Sequence, residues 1–232
     1  MIEGRSLGLV IPAHNEERGI PEVLERVPGS IDRILVVDNC STDRTAEVAR
    51  DLGADVIEER EKGYGSAYMT GLGAMDTDIV STADADGTYP VDRIPDLATI
   101  LIEDGLDFIS ARRAPGDQAR NLDNMLRFGG NAVLTFFTVA LFFRWIRDSQ
   151  SGMWVFRRDV LSSLELTSRG MPFSEEIKIE AWRAPGVRCR EVGVPFSYST
   201  RVGSAKLRLW RDGVRNLLFL FAKRLRIPMR GA

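Results

Sequence analysis

The sequence predicts an α/β fold, a single domain in which a central, mainly parallel sheet is flanked by helices. Short apolar runs typical of buried strands alternate with stretches whose apolar residues follow helical spacing. Of the 232 residues, 44% are hydrophobic and 28% charged, which is ordinary for a globular protein with a proper core. Polar residues collect where the apolar runs end, so we expect the chemistry of the protein at one edge of the sheet.

The strand predictions rest on short runs that are almost wholly apolar. The first run, LGLVI, is followed by Pro12, and such runs are typical of strands buried on both faces. The predicted strands span residues 7–11, 34–37, 54–57, 78–82, 108–110, 153–156 and 192–195.

Helices are predicted from apolar residues three and four positions apart. They span residues 15–26, 42–52, 67–74 and 175–182. Strands alternating with helices indicate βαβ units and a parallel sheet covered on both faces. Residues 63–66 (GYGS) are expected to form a flexible loop, and residues 115–123 (PGDQARNLD) a polar, mobile loop.

Two later segments could contact a membrane without crossing it. The unbroken apolar stretch 132–143 has 12 residues, well short of the roughly 20 that span a bilayer, so we predict a core or interfacial helix. Residues 207–225 combine apolar residues with cations and predict a basic amphipathic C-terminal helix.

The net charge of −2 conceals an asymmetry. Residues 201–232 contain nine Lys or Arg residues and one aspartate, a net charge of +8, and the other 200 residues carry −10. A basic end suggests an anionic partner, namely lipid headgroups, phosphates or nucleic acid, and a solvated basic helix is the alternative. The acidic body and the lack of a recognised motif argue against nucleic acid. Cys40 and Cys189 belong to no CxxC or Cys/His cluster, so we expect a reducing cytoplasm.

Asp84 and Asp86 stand one residue apart in DADGTYP, directly after the fourth predicted strand. Two like charges on a turn repel unless a cation lies beside them, and oxygen ligands suit Mg²⁺ or Mn²⁺. A turn whose carboxylates face water is the alternative. Asp38 at the end of the second strand favours the metal interpretation, because the carboxyl ends of parallel strands share one edge. Neither a GxGxxG fingerprint nor a Walker A loop is present.

The motifs VIPAHNEE, VVDNCSTDRTAEVA, KGYGSAYMTGL, DADGTYP, RFGGNAVLT, DSQSGMWVFRRDVL and RVGSAKLRLWRDG follow one another along the chain. In this order they resemble family 2 glycosyltransferases of the polyprenyl-phosphate hexose synthase branch, which includes the dolichyl-phosphate glucose and mannose synthases. The resemblance runs from about residue 7 to residue 220. It implies a GT-A fold, a nucleotide-sugar donor, a divalent metal (Mg²⁺ or Mn²⁺) and inversion at the anomeric carbon.

The resemblance also implies roles for individual residues. Asp84 and Asp86 would hold the metal and the donor diphosphate, and Thr88 stands where mannose synthases often have a glutamine ligand. The implied catalytic residues are Asp84, Asp86, Arg127 and Asp148. The implied binding residues are Pro12, Ala13, Glu16, Asp38, Lys62, Gly63, Ala85, Arg112, Ser151, Gly152, Glu176, Arg201, Ser204 and Lys206.

Within this set, Asp38 would read the base or ribose, and Arg112 and Arg127 would contact phosphates. Asp148, Ser151 and Gly152 match a DxxSG turn beneath the sugar, and residues 201–206 match an RxGxSK stretch that clamps the lipid phosphate. Asp38 could instead be a turn or capping residue, and Glu16 a first-turn helix residue. For His14, the only histidine, a non-catalytic loop position is favoured.

The expected function is transfer of a hexose from a nucleotide sugar to a polyprenyl or dolichyl phosphate. UDP-glucose is the favoured donor and GDP-mannose is possible. The enzyme would be peripheral to the cytoplasmic membrane. The donor half would span residues 7–110, the acceptor half 111–206 and the basic tail 207–232. Two alternatives remain open: a family 2 enzyme with a soluble or cell-wall hydroxyl acceptor, and a non-catalytic module that binds nucleotide sugar or anionic lipid.

Overall fold

A computed structural model describes residues 1–115, 122–196, 202 and 209–227. Within these residues the chain forms seven strands and seven α-helices. The strands are β1 (Leu7–Ala13), β2 (Arg33–Asn39), β3 (Asp55–Glu59), β4 (Ile79–Thr82), β5 (Phe108–Pro115), β6 (Trp154–Arg157) and β7 (Cys189–Phe196). The helices are α1 (Gly19–Leu24), α2 (Thr45–Asp51), α3 (Tyr64–Ala74), α4 (Ile94–Glu103), α5 (Leu122–Phe142), α6 (Phe173–Arg183) and α7 (Leu209–Leu225).

The strands form one sheet in the order β3-β2-β1-β4-β6-β5-β7. Of the described strands, β6 alone runs antiparallel to its neighbours β4 and β5. The carboxyl ends of the other six strands and the amino end of β6 therefore meet at one edge of the sheet. The predicted central, mainly parallel sheet is confirmed.

Helices cover both faces of the sheet, because side chains alternate between the faces along each strand. Leu9 and Ile11 of β1 pack in a core layer that also contains residues of α1, α2 and α4. Val10, between them, packs in the opposite layer with residues of α3 and α6. A smaller apolar cluster joins α5, α6 and α7.

Every predicted strand is present, and most extend beyond their predicted ends. The structure adds α4, which was not predicted although Ile94, Leu97 and Leu101 recur at helical spacing. The prediction of a flexible loop at residues 63–66 was wrong, since α3 begins at Tyr64. The amides of Gly65 and Ser66 donate to the carbonyl oxygens of Gly170 and Arg169, 3.2 and 3.0 Å away. A segment distant in sequence thus satisfies the first turn of α3.

The predicted helix at the apolar segment is confirmed in α5, which begins at Leu122 and so also takes in the end of the predicted loop 115–123. Residues 116–121 of that loop lie outside the described residues. The helix predicted for the tail is confirmed in α7. In the part of the chain that the structure describes, none of the helices is both long and apolar enough to cross a membrane.

Two glycines of α3 allow a test of how tightly this helix packs on the sheet. A Cβ atom at Gly71 would lie 2.5 Å from Val10 Cγ1 and 2.7 Å from Val37 Cγ2. We expect Gly71→Ala to lower the free energy of unfolding by about 1–3 kcal/mol through overpacking. Urea denaturation measures this value.

Gly73→Ala is the matched control, because a Cβ atom there would meet nothing within 4 Å. Its expected effect lies between no change and a gain of about 1 kcal/mol, since alanine is the better helix former. Equal losses in the two variants would contradict the described packing of α3.

Candidate functional site

The topology of the sheet brings distant parts of the sequence to one cleft. Ala13 is paired with Asp38, and Val10 with Thr82, so the segments that follow β1, β2 and β4 leave the sheet side by side. The antiparallel direction of β6 brings the preceding turn, residues 148–152, to the same edge. In open α/β sheets, ligands bind beyond this edge.

Asp84 and Asp86 lie just beyond β4, and neighbouring hydroxyl groups orient both carboxylates. The Tyr64 hydroxyl donates to Asp84 Oδ1 over 3.0 Å. Asp86 Oδ1 accepts from Thr88 Oγ1 at 2.7 Å and from the Thr88 amide at 3.1 Å. Burial, reinforced by the Asp84 charge, raises the pKa of Tyr64 well above its ordinary value, so this hydroxyl remains a donor.

Gly152, at the end of the turn, is fixed beside Asp84. Its amide donates to the Tyr89 hydroxyl at 2.8 Å, and its carbonyl oxygen accepts from Tyr68 at 3.2 Å and Thr82 at 3.0 Å. A Cβ atom here would lie 2.5 Å from the Tyr64 hydroxyl and 3.2 Å from Asp84 Oδ1. Only glycine lets the turn approach the aspartate so closely.

The end of β2 contains a buried oxygen atom without a partner. Asp38 Oδ1 is buried and forms no hydrogen bond among the described residues. The side chain of the neighbouring Asn39 has partners for both of its polar atoms. Its Nδ2 donates to the carbonyls of Glu59 and Glu61, and its Oδ1 accepts from the Gly63 amide. Because buried polar atoms normally have partners, the unpaired oxygen of Asp38 suits a ligand group.

His14 and Lys62 form a pair at the same end of the sheet. His14 Nδ1 donates to the Asn39 carbonyl at 2.8 Å, and Lys62 Nζ lies 3.0 Å from Nε2 of the ring. The carbonyl acceptor makes Nδ1 the protonated nitrogen, so Nε2 accepts from the lysine. His14 therefore has a positional role here.

The remaining residues predicted for the donor pocket lie along the same edge. Pro12 and Ala13 end β1, and Pro12 is half-buried while Ala13 is buried. The Glu16 amide donates to Thr45 Oγ1 at 2.7 Å. Ala85 is buried between the two aspartates. The structure thus brings the predicted donor residues together.

Asp148 forms a buried ion pair with Arg113 that uses both carboxylate oxygens. Arg113 Nε donates to Oδ2 and its terminal nitrogen to Oδ1, each over 2.8 Å, and the Arg113 amide adds a bond of 3.0 Å. Asn131 donates to Oδ1 at 3.1 Å. Burial alone would raise the pKa of Asp148, but Arg113 outweighs it and holds this pKa well below its usual range.

Buried groups also hold the backbone of the turn. Lys178 Nζ donates to the carbonyl oxygens of Asp148 and Ser151, 2.8 and 2.9 Å away. The Ser151 hydroxyl donates to the Ala111 carbonyl of β5. Burial lowers the pKa of Lys178 to about 7, although the Asp148 charge opposes this. The turn is therefore fixed by an ion pair, a lysine and a serine.

Glu176 holds structural elements together instead of facing the cleft. Its carboxylate accepts from Thr167, from the Ser168 amide and, at 2.8 Å, from Lys223 of α7. The side chain is fully buried, and these bonds occupy both of its oxygens. The geometry does not support the predicted substrate contact of Glu176.

The predicted phosphate-binding residues are described only in part. Arg112 is half-buried beside Gly193 of β7, and its side chain makes no hydrogen bond or ion pair with the described residues. The Arg127 side chain, Arg201, Ser204 and Lys206 lie outside the described residues. Val202, next to Arg201 in the sequence, donates its amide to the Asp86 carbonyl at 3.1 Å. This contact brings Val202 to the DADGTYP turn.

The donor set at this edge fits a divalent cation shared with phosphates. Asp84 and Asp86 supply hard oxygen atoms, and the described residues contain no group of three or more His, Cys, Asp or Glu side chains that could hold a metal alone. Mg²⁺ typically binds through one or two carboxylates together with substrate phosphates and water.

Comparison with known proteins identifies the family. The family model described as glycosyl transferase family 2 matches residues 9–164. The chain belongs to glycosyl transferase family 2. A low-salt glycan biosynthesis hexosyltransferase of Haloferax volcanii is 33% identical over 93% of this chain and 53% of its own length. A dolichyl-phosphate hexose transferase of the same organism is 33% identical over 89% of each chain. The chain thus spans about half of the first relative and most of the second.

Solved structures support the GT-A-like fold of this family 2 chain. The glucosyl-3-phosphoglycerate synthase of Mycobacterium tuberculosis, crystallised with Mn²⁺, UDP and phosphoglyceric acid, superposes with a TM-score of 0.77. The alignment covers 98% of this chain and 81% of that chain at 23% identity. At this identity the likeness establishes the fold.

Several residues of this family 2 site were not predicted from the sequence. They are the tyrosines around Asp84 and Gly152, together with Asn39, Arg113 and Lys178. Tyr64 stands in the motif KGYGSAYMTGL and Tyr89 in DADGTYP, so these motifs could have indicated hydroxyl groups near the aspartates. Lys178 carried no such signal, because a lysine in a helix is usually exposed.

The Arg113–Asp148 pair generates a stability prediction. Asp148→Asn would leave a buried guanidinium without its counter-charge, and we expect a loss of about 3–5 kcal/mol in the free energy of unfolding at pH 7. The pKa of Asp148 is depressed on folding, so its contribution is complete above about pH 5 and is lost as the pH falls below about 4. The difference between wild type and variant should shrink in that acid range.

Asp92→Asn is the control, since Asp92 pairs with Arg26 at the surface, where the two side chains are 55% and 40% exposed. Its expected effect is about 0–1 kcal/mol. Chemical denaturation at several pH values measures all three proteins. A loss for Asp148→Asn no larger than that of the control would contradict the buried clamp.

Proposed function

We propose that the protein transfers a hexose, with inversion, from a nucleotide sugar to a polyprenyl phosphate. The observation that carries this proposal is the placement of Asp84 and Asp86, oriented by Tyr64 and Thr88, at the edge where Asp38 has an unpaired buried oxygen. A nucleoside and a diphosphate fit the two ends of that edge.

The chain's own residues would bind and orient the donor. Asp38 would accept a hydrogen bond from the base or ribose, and Lys62 would add positive charge nearby. Asp84 and Asp86 would hold Mg²⁺ or Mn²⁺, which neutralises the charge on a departing diphosphate. The resemblance to glucose synthases in DNCSTD and DADGTYP makes UDP-glucose the first donor to test, followed by GDP-mannose.

A phosphate acceptor would need no strong general base. The second pKa of a phosphate monoester is about 6, so the nucleophile is already an anion at neutral pH. Asp148 is occupied by Arg113, and His14 Nε2 faces Lys62. The task of the protein is then to align the acceptor oxygen with the anomeric carbon.

The names of the relatives point to the same acceptor. One relative is called a dolichyl-phosphate hexose transferase, and another, from Pyrococcus furiosus, a dolichol-phosphate mannosyltransferase that is 29% identical over 87% of this chain. We infer a lipid phosphate for this chain as well. Such an acceptor would require the enzyme to work at a membrane surface, and we propose that it does so as a peripheral protein at the cytoplasmic face.

An exposed apolar surface on α5 and α7 supports contact with lipid. Apart from Met1 and Leu52, the exposed large hydrophobic residues of the described chain lie on these helices or just after them. They are Val133, Phe136, Phe143, Trp145, Val214, Leu218, Phe221, Leu225 and Ile227. We call this surface the α5–α7 face. Phe137 and Phe221, 5.8 Å apart between ring centroids, pack the two helices together.

Cations flank the α5–α7 face on α7. At about 100° per residue, Val214, Leu218, Phe221 and Leu225 form one stripe. Arg211 and Arg215 lie on one side of this stripe and Arg224 on the other. An apolar stripe between arginines suits a helix that lies in the headgroup region of an anionic bilayer.

The catalytic proposal is tested with a panel of UDP- and GDP-sugars in the presence of Mg²⁺ or Mn²⁺. Donor binding is scored by thermal shift, and transfer is then measured with a short polyprenyl phosphate. We expect transfer that EDTA abolishes, and a loss of at least about a hundredfold in Asp86→Asn, because that carboxylate holds the metal.

Asp96→Asn controls for the loss of an aspartate, since Asp96 pairs with Arg93 at the surface, and it should keep full activity. Transfer to hydroxyl acceptors alone would favour the soluble or cell-wall enzyme. Donor binding without transfer to any acceptor would favour the binding module. Either result would reject the proposal.

Membrane binding is tested separately by co-sedimentation with vesicles of phosphatidylserine and phosphatidylcholine. The double variant Phe136→Asp, Leu218→Asp should bind at least about tenfold more weakly, because each large apolar side chain contributes about 1.5–3 kcal/mol when buried. Leu52→Asp, at an exposed position outside the α5–α7 face, should bind like wild type. Failure of the wild type to sediment at low salt would refute the membrane contact.

A further inference from the structure

A network of polar side chains, centred on the half-buried Gln150, connects α7 to the turn 148–152. Gln150 lies in this turn, and its Oε1 accepts from Asn216 Nδ2 of α7 at 2.8 Å. Its Nε2 donates to Glu175 Oε2 of α6 at 2.7 Å and to Ser149 Oγ at 3.1 Å. Gln150 is therefore held from two sides by two different helices.

The side chains of this polar network are unusual for a protein core. Glu175 is fully buried and Asn216 is 3% exposed. Glu175 Oε1 and Asn216 Oδ1 form no hydrogen bond among the described residues. Buried polar atoms without partners cost stability, so retaining two of them beside one glutamine indicates a role other than packing.

Glu175 accepts one hydrogen bond in this network, through Oε2 from Gln150. Burial raises its pKa well above the ordinary value, although the hydrogen bond from Gln150 opposes the shift. The charge of Lys178 also opposes the shift, and the Lys178 ammonium group donates its hydrogen bonds to the carbonyl oxygens of the turn. Glutamine keeps an acceptor oxygen, so Glu175→Gln can retain the hydrogen bond from Gln150.

Helix α7 has two anchors on its inner face. Lys223 lies seven residues, two helical turns, beyond Asn216 and bridges Glu176 and Glu180 at 2.8 and 3.2 Å. The stripe that includes Leu218 and Leu225 lies on the opposite side of the helix. Asn216, which contacts Gln150, is therefore one of the two residues that anchor α7 to the domain.

We propose that Gln150 is a positioning residue through which Asn216 and Glu175 hold the turn 148–152 in its working position. The inference rests on the proposed function and on the family resemblance, which implies that this turn lies beneath the donor sugar. Asp148 and Ser151 tie the turn to β5, and the Gln150 side chain ties it to α6 and α7. The seating of α7 then contributes directly to the geometry of the sugar site.

The test uses the full chain and compares Asn216→Leu and Glu175→Leu with the conservative Glu175→Gln. We expect both leucine variants to lose about tenfold in kcat, with the donor KM changed by no more than about twofold. Glu175→Gln should stay within about twofold of wild type. The double leucine variant should lose no more than the worse single variant, because both act on Gln150.

Hydrogen exchange of peptides spanning residues 148–152, followed by mass spectrometry without substrate, gives a readout independent of the acceptor. Faster exchange in the leucine variants, and wild-type exchange in Glu175→Gln, are expected. Thr99→Val, which removes a hydrogen bond within α4, should leave the turn unchanged. Should Asn216→Leu not fold, Asn216→Ser, whose side chain is too short to reach Gln150, takes its place.

Unchanged kcat and exchange in folded leucine variants would overturn the inference. So would a Glu175→Gln variant as impaired as Glu175→Leu, or additive losses in the double variant. If wild type transfers to no polyprenyl phosphate, the proposed function fails while the exchange comparison still decides whether Asn216 and Glu175 hold the turn.

Discussion

The buried ion pair between Arg113 and Asp148 is the contact on which the site depends. It joins β5 to the turn that precedes β6, at the point where the sheet changes strand direction. A buried ion pair adds little net stability, because desolvation of both charges offsets their attraction. Its effect is geometric: the bidentate guanidinium fixes the carboxylate, and the carboxylate fixes the backbone of the turn.

Two kinds of contact build the two halves of the cleft. In the half formed by the ends of β1, β2 and β4, the sheet register sets the positions of Asp38 and Asp84, and the Tyr64 hydroxyl orients the Asp84 carboxylate. In the other half, the turn 148–152 is irregular, and buried groups such as Lys178 must satisfy its carbonyls. The sheet topology therefore positions the first half, and hydrogen bonds from buried side chains position the second.

This difference explains what the sequence could predict. The apolar runs fix the strands, and the aspartates follow the strands, so the meeting of the aspartates at one edge of the sheet was predictable. Arg112 was predicted to contact a phosphate, and the clamp that Arg113 forms on Asp148 was not predicted. Neighbouring residues of a strand point to opposite faces, and the sequence alone does not show which arginine faces the turn. The start of α3 was missed because Arg169 and Gly170, about a hundred residues later, cap it. Glu176 was assigned to the site because it matches an acidic residue of the family pattern, and its partner Lys223 is too distant in sequence for their ion pair to be predicted.

Helix α7 has two chemically different faces. Its outer stripe is apolar and flanked by arginines, and its inner face contains Asn216 and Lys223, two polar residues that a purely structural helix would replace with apolar ones. A polar anchor is directional, so it holds the helix at one rotation, whereas apolar packing tolerates several. The rotation that seats Asn216 on Gln150 is also the rotation that turns Leu218 and Leu225 outward. A membrane that binds the outer stripe would therefore favour the orientation of α7 in which Asn216 contacts Gln150. Lipid contact and the geometry of the proposed sugar site would then depend on the same helix orientation.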